Sequence, residues 1–154
     1  MEETLKIKGL IRIECHDKFG NLKWDTGWIQ NGITSAGKAQ LALLAGDAAA
    51  VPFTYLALGD TATAFAVGQT TLANEITTSG LARAAATVSR VTTNVTNDTL
   101  NLTYTWTASG SKTVEEIGIF NANSAGTMLG RALTGTKTFV NTDSYTATYK
   151  VIFA

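Results

Sequence analysis

Residues 100–107 read LNLTYTWT. In an extended chain Leu100, Leu102, Tyr104 and Trp106 fall on one face and Asn101, Thr103, Thr105 and Thr107 on the other, because strand side chains alternate. A helix would scatter the same residues around its axis, so the stretch predicts a strand with one apolar and one wet face.

The same alternation recurs on both sides of this stretch. LKIKGLIRIEC (5–15) puts Leu5, Ile7, Ile11, Ile13 and Cys15 on one face and Lys6, Lys8, Arg12 and Glu14 on the other. DKFGN supplies a turn with Gly20 at the positive-φ position, and LKWDTGWIQ returns as a second strand. Trp24 and Trp28, an even number of residues apart, are expected on a shared face. SYTATYKVIF (144–153) keeps Tyr145, Ala147, Tyr149, Val151 and Phe153 in register. TVEEIGIFNA (113–122) and MLGRALTG (128–135) read as a hairpin with a Gly126-assisted turn, Ile117 and Ile119 pointing inward.

Three stretches depart from the pattern. NGITSAGKAQLALLAGD (31–47) fits a short amphipathic helix over about 34–45, with Thr34 or Ser35 as N-cap and Gly46 as the stop. TATAFAVGQTTLANEITTSG (61–80) is a long connection, expected to hold one helical turn near Leu72–Ile76. Loops of that length in a compact domain are usually functional or make contacts of their own. In ARAAATVSRVTTNVT (82–96) the apolar set changes face between Val88 and Val91, which predicts a bulge near Ser89–Arg90. These elements predict an all-β protein, a β-sandwich or jelly roll, with an N-terminal β-hairpin over 5–30, one short α-helix, and sandwich strands over 53–153. No linker or repeat divides the 154 residues, so one domain over 1–154 is expected, burying about 70% of its unfolded surface.

Charge is low and balanced, 12 acidic against 12 basic residues, and the nearest thing to a basic cluster is Lys6 with Lys8. That pattern speaks against a nucleic-acid partner. No apolar run approaches the roughly 18 residues of a membrane helix, and the acidic MEETLKIK start lacks the layout of a secretory signal. Cys15 is the single cysteine, which excludes an internal disulfide and a Cys-based metal site; a core position is expected for it.

Little in the chain calls for chemistry. Glu115 and Glu116 are adjacent on a strand, so they leave opposite faces and cannot flank one scissile bond. The structural alternative is a solvated or salt-bridged strand start, with one of the pair reaching Arg131 across the hairpin. His16, the only histidine, reads as a turn residue beside Asp17. Asp47, Asp60 and Asp143 look like turn formers, with no EF-hand spacing. No nucleophile, phosphate-loop or zinc motif is present, so neither an enzyme nor a cofactor or metal site is expected. The aromatics Trp24, Trp28, Trp106, Tyr55, Tyr104, Tyr145 and Tyr149 lie mostly on apolar faces, which favours core packing over a sugar-stacking platform.

The order of pieces resembles a family of small structural proteins of tailed bacteriophages. The likeness runs through the strand pair from Gly9 to Trp24, Asn31 to Gly46, FTYLALGDT (Phe53 to Thr61), Leu72 to Val91, and EIGIFNANSAGTMLGR (Glu116 to Arg131), nearly the whole chain. The resemblance implies a virion component assembled in the host cytoplasm, with no catalytic residues to carry over. Short length and lack of shaft repeats favour a capsid decoration or cement protein that binds the major capsid protein or other virion proteins as a dimer or trimer. The competing expectations are a tail, baseplate or fibre-attachment part and, from another class, a carbohydrate-binding β-sandwich module. For the interface the candidate residues are Trp24, Trp28, Lys6 and Lys8 on the N-terminal hairpin, and Phe65 and Val67 on the long loop.

Overall fold

A computed structural model describes residues 4–154; positions 1–3 of the expected single domain lie outside them. The chain forms β1 (Ile7–His16), β2 (Leu22–Asp25), β3 (Ile29–Ile33), α1 (Ser35–Gly46), β4 (Tyr55–Gly59), β5 (Ala84–Ala85), β6 (Thr87–Val91), β7 (Thr99–Thr107), β8 (Lys112–Phe120), β9 (Met128–Phe139) and β10 (Ser144–Phe153). The all-β expectation with one short helix holds. Every strand pairing is antiparallel, in the order β5-β4-β8-β9-β3-β1-β10-β7-β6, with β2 also on β1.

The two ends of that path, β5 and β6, are separated in sequence by Ala86 alone. Ala84 and Ala85 pair with β4, the Ala86 amide donates to the Thr54 carbonyl at 2.8 Å, and from Thr87 onward the chain pairs with β7. One segment thus bridges both ends of the sheet, which is nearly closed on itself, a barrel-like form of the expected sandwich. The change of partner falls at Ala86, not at the bulge expected near Ser89–Arg90. Ala86 is the one position where the strand lets go of β4 before taking up β7, and a switch of sheet moves the apolar set much as a bulge would.

Alternation fills the interior from both halves of the barrel. Ile11, Ile13, Cys15, Leu102, Trp106, Tyr145, Ala147, Tyr149 and Val151 meet Leu56, Leu58, Val114, Ile117, Ile119, Leu129 and Phe139 in one cluster. Near one end, Trp24, Phe139, Tyr145, Trp106 and Tyr104 form a chain of edge-to-face rings with centroids 4.5–5.8 Å apart, the geometry aromatic quadrupoles favour. The helix adds Leu41 and Leu44 to the same cluster. Its N-cap is Thr34, whose hydroxyl accepts from the Gly37 amide at 2.9 Å and donates to the Met128 carbonyl at 2.6 Å, tying α1 to β9. Gly37 lets the helix lie so close that a Cβ there would meet the backbone of Leu129.

Two further expectations give way. LKWDTGWIQ is not one strand: the chain breaks at Thr26–Gly27, where Gly27 has φ +63°, and β2 and β3 pair with different stretches of β1. Residues 72–76 contain no helical turn; Glu75 instead bridges to Gly59, and the Ile76 amide donates to the Leu58 carbonyl at 2.8 Å. Leu72 and Ile76, whose spacing suggests a turn of helix, are both buried without one, Leu72 against Ala57, Phe120 and Met128 and Ile76 in the main core.

Candidate functional site

The break at Gly27 undoes the period-two link between the two N-terminal tryptophans. Trp24 is in register with Cys15, whose side chain is buried in the barrel, and the Trp24 ring packs against Phe139 and Tyr145. It is half-buried and belongs to the interior. Trp28 precedes Ile29, which packs inward, so the Trp28 indole points outward; it is 46% exposed, with the Lys150 ammonium 4.7 Å from its ring. A cation at that distance over an aromatic face is attracted by the ring quadrupole.

The turn that presents Trp28 is clamped. Asp25 takes a fork from Arg12, Nε at 3.1 Å and Nη2 at 2.6 Å, and accepts from the Gly27 amide at 2.8 Å. The Arg12 guanidinium and that amide hold the Asp25 carboxyl below the usual carboxylate range. Thr26 accepts from the Ile13 amide at 3.0 Å, locking the turn to β1.

Phe65 reaches the same side of the sheet. Its ring fills the space over Gly32 that a Cβ would occupy. Gly32 and Trp28 are an even number of residues apart on the stretch entering β3, so the two aromatics share the outward side. Phe65 is 40% and Val67 50% exposed. The Val67 carbonyl accepts from the Ser35 amide at 2.8 Å, at the first turn of α1. Lys8 is exposed on the outward side of β1, while Lys6 lies beyond the end of that strand. The structure therefore gathers Trp28, Phe65, Val67 and Lys8 around one face, leaves Lys6 at its margin, and takes Trp24 away into the interior.

Phe65 and Val67 belong to a strap, residues 60–76, that crosses the outer side of β4, β8 and β9. Beneath it lies a second apolar cluster of Ala57, Leu72, Phe120 and Met128. Beside that cluster Glu116 and Arg131 form an ion pair with side chains 0% and 1% exposed. Glu116 Oε1 accepts from the amides of Ala73 at 2.7 Å and Asn74 at 3.4 Å. Arg131 Nη1 donates to Gln69 Oε1 at 2.9 Å. Of the two adjacent glutamates, Glu116 is the one that reaches Arg131. Its full burial was not legible, because nothing in the local pattern of β8 says that a loop about 45 residues upstream covers its outer face.

The remaining polar residues act locally. Asp143, buried at the β9–β10 turn, takes Lys23 Nζ at 2.5 Å and the Val140 amide at 3.0 Å. Asp60 joins Lys112 at 2.8 Å and Asn74 at 2.6 Å. Cys15 is fully buried, and desolvation pushes its thiol up to about 11. His16 ends β1 in register with Ser144. Among the described residues no group of three or more His, Cys, Asp or Glu converges. An apolar groove of about 430 Å³ runs between α1 and the Ile7–Phe153 end of the barrel, with Lys38 on its rim.

A family model described as podophage GP4 fiber I protein gp80 matches residues 34–152. Nothing among curated proteins or solved structures matches the chain. The chain belongs to that family and is a structural protein of a tailed-bacteriophage virion.

Proposed function

We propose that the chain is a tail-fibre-associated subunit that docks onto neighbouring virion proteins through the outward face carrying Trp28, Phe65, Val67 and Lys8. The family description, which names a fibre protein, is the observation that carries this reading. It moves the capsid-decoration role expected from sequence to second place, with a decorating subunit on the major capsid protein as the alternative. The face suits docking. Its apolar side chains are exposed, its turn and strap are pinned, and interfaces gain from such pre-organisation because little freedom is lost on binding. A formal net charge of zero sets no long-range repulsion against other copies, so a dimer or trimer belongs to the same reading. Repeated copies would multiply moderate contacts by avidity.

Immunogold labelling of intact particles with antibody to the chain tests the placement. Gold confined to the tail and its fibres is the expected result, and gold spread over the capsid shell would overturn it. The docking face is tested by Trp28→Ala combined with Phe65→Ser. Incorporation into particles should fall at least tenfold while the unfolding midpoint stays within a few degrees.

A further inference from the structure

An outward sheet face is ordinarily wet, yet Glu116 and Arg131 sit on one with almost no solvent contact. What excludes water is the strap, and the strap is tied to both members of the pair. Glu116 holds its later part through the amides of Ala73 and Asn74. Arg131 holds its earlier part through Gln69. Gln69 passes the constraint on: its Oε1 also accepts from the Ala66 amide at 2.9 Å, and its Nε2 donates to the Ala64 carbonyl at 3.2 Å. Ala64 and Ala66 flank Phe65, so the backbone on both sides of that ring is fixed by one amide side chain that Arg131 orients.

Space is kept for this arrangement. A Cβ at Gly59 would run into the Glu116 carboxylate, and one at Gly118 would lie 2.9 Å from Leu72. Leu72 is one buried apolar anchor of the strap, in the cluster with Ala57, Phe120 and Met128. Ile76, at the strap's end, is buried in the main core. Between these two anchors and along the strap's earlier part the hold is largely directional and polar.

A buried ion pair is a poor device for stability, since desolvation offsets much of its attraction and a well-packed apolar pair often serves as well. An apolar pair cannot offer acceptors to backbone amides or a donor to a glutamine. We propose that Glu116 and Arg131 are positioning residues: a latch that sets the strap in the shape that presents Phe65 and Val67, and not a support of the barrel. The link to docking rests on the reading of the face given above; the latch itself does not.

Two variants of the full chain test it. Glu116→Leu with Arg131→Met removes the charges and the directional bonds together. The amides of Ala66, Ala73 and Asn74 should then exchange at least tenfold faster with deuterium, the unfolding midpoint should move by less than about 5 °C, and incorporation should drop at least tenfold. Glu116→Gln with Arg131→Met keeps a carbonyl acceptor without charge. It should restore protection at Ala73 and Asn74 while Ala66 stays fast. Unchanged exchange in the first variant overturns the latch, and so does a midpoint lowered by more than about 10 °C. Fast exchange with normal incorporation overturns the coupling to docking. Phe65→Ser, which leaves the latch intact, separates the two failures. If it also incorporates normally, the docking face is what has failed, and the exchange results alone decide the latch.

Discussion

The two faces of β8 are both buried, by different means. Ile117 and Ile119 face the barrel and are covered by strands of the opposite half. Glu116, Gly118 and Phe120 face outward and are covered by the strap. The inner face is held by shape and water exclusion, the outer one by hydrogen bonds to a charge pair with a small apolar cluster beside it. The difference teaches that burial follows from what lies over a strand, and that a chain segment without regular structure can be set by a few polar pins where strands are set by many apolar contacts.

Breaking one pin should be as damaging as breaking the core. Arg131→Ala leaves Glu116 buried without its partner and should cost about 3–5 kcal/mol, matching or exceeding Ile119→Ala at about 2–5 kcal/mol, both read by denaturant unfolding. If Arg131→Ala costs under 1 kcal/mol, the outer face is wetter than its geometry implies.

The tryptophans sharpen the contrast between packing and display. Trp24→Ala removes a half-buried ring from the aromatic cluster and should cost about 2 kcal/mol, below the ~3–5 of a fully buried aromatic. Trp28→Ala should stay within about 0.5 kcal/mol. Equal costs would mean that Trp28 serves the fold rather than a partner.

The smallest effect carries an informative sign. Alanine is the better helix former by about 1 kcal/mol, and Gly46→Ala, where a Cβ meets nothing, should gain up to about that much. Gly37→Ala should lose about 1–3 kcal/mol, because the backbone of Leu129 cannot step aside. Thermal unfolding of the two variants checks the pair. A gain at both positions would show α1 riding loosely on β9.

Much of the barrel was legible from alternation alone. Residues 7–15, 100–107 and 144–153 pair as neighbours in one half, and their apolar sets are buried or half-buried; Leu5, expected on the same apolar face, instead precedes β1 and is exposed. The helix bounds followed from Thr34 and from the apolar spacing of Leu41 and Leu44. What escaped depends on long-range covering or on a local change of direction. Gly27 turns the chain, so Trp24 and Trp28 part company although their spacing says otherwise. Ala86 hands the strand from one partner to another, and no side chain marks it. Of the residues proposed for docking, Trp28, Phe65, Val67 and Lys8 were readable as exposed apolar or basic positions. The pairing of one glutamate with Arg131 was readable as well, but its burial beneath the strap was not, because residues 69–74 and 116–131 are brought together only by the long-range pairing of β4 with β8 and β9.

The near-closure of the sheet also dictates how the chain must find its fold. β1 pairs with β10 across almost the full length of the polypeptide, β3 pairs with β9 over about a hundred residues, and the 84–91 bridge can be satisfied on both sides only once β4 and β7 are in place. Contacts so distant along the chain carry a heavy loop-closure entropy, which puts refolding toward the slow end, roughly milliseconds to seconds. Until its last rung zips shut a nascent copy has unpaired strand edges, and crowding many copies together before then would favour mispairing over assembly.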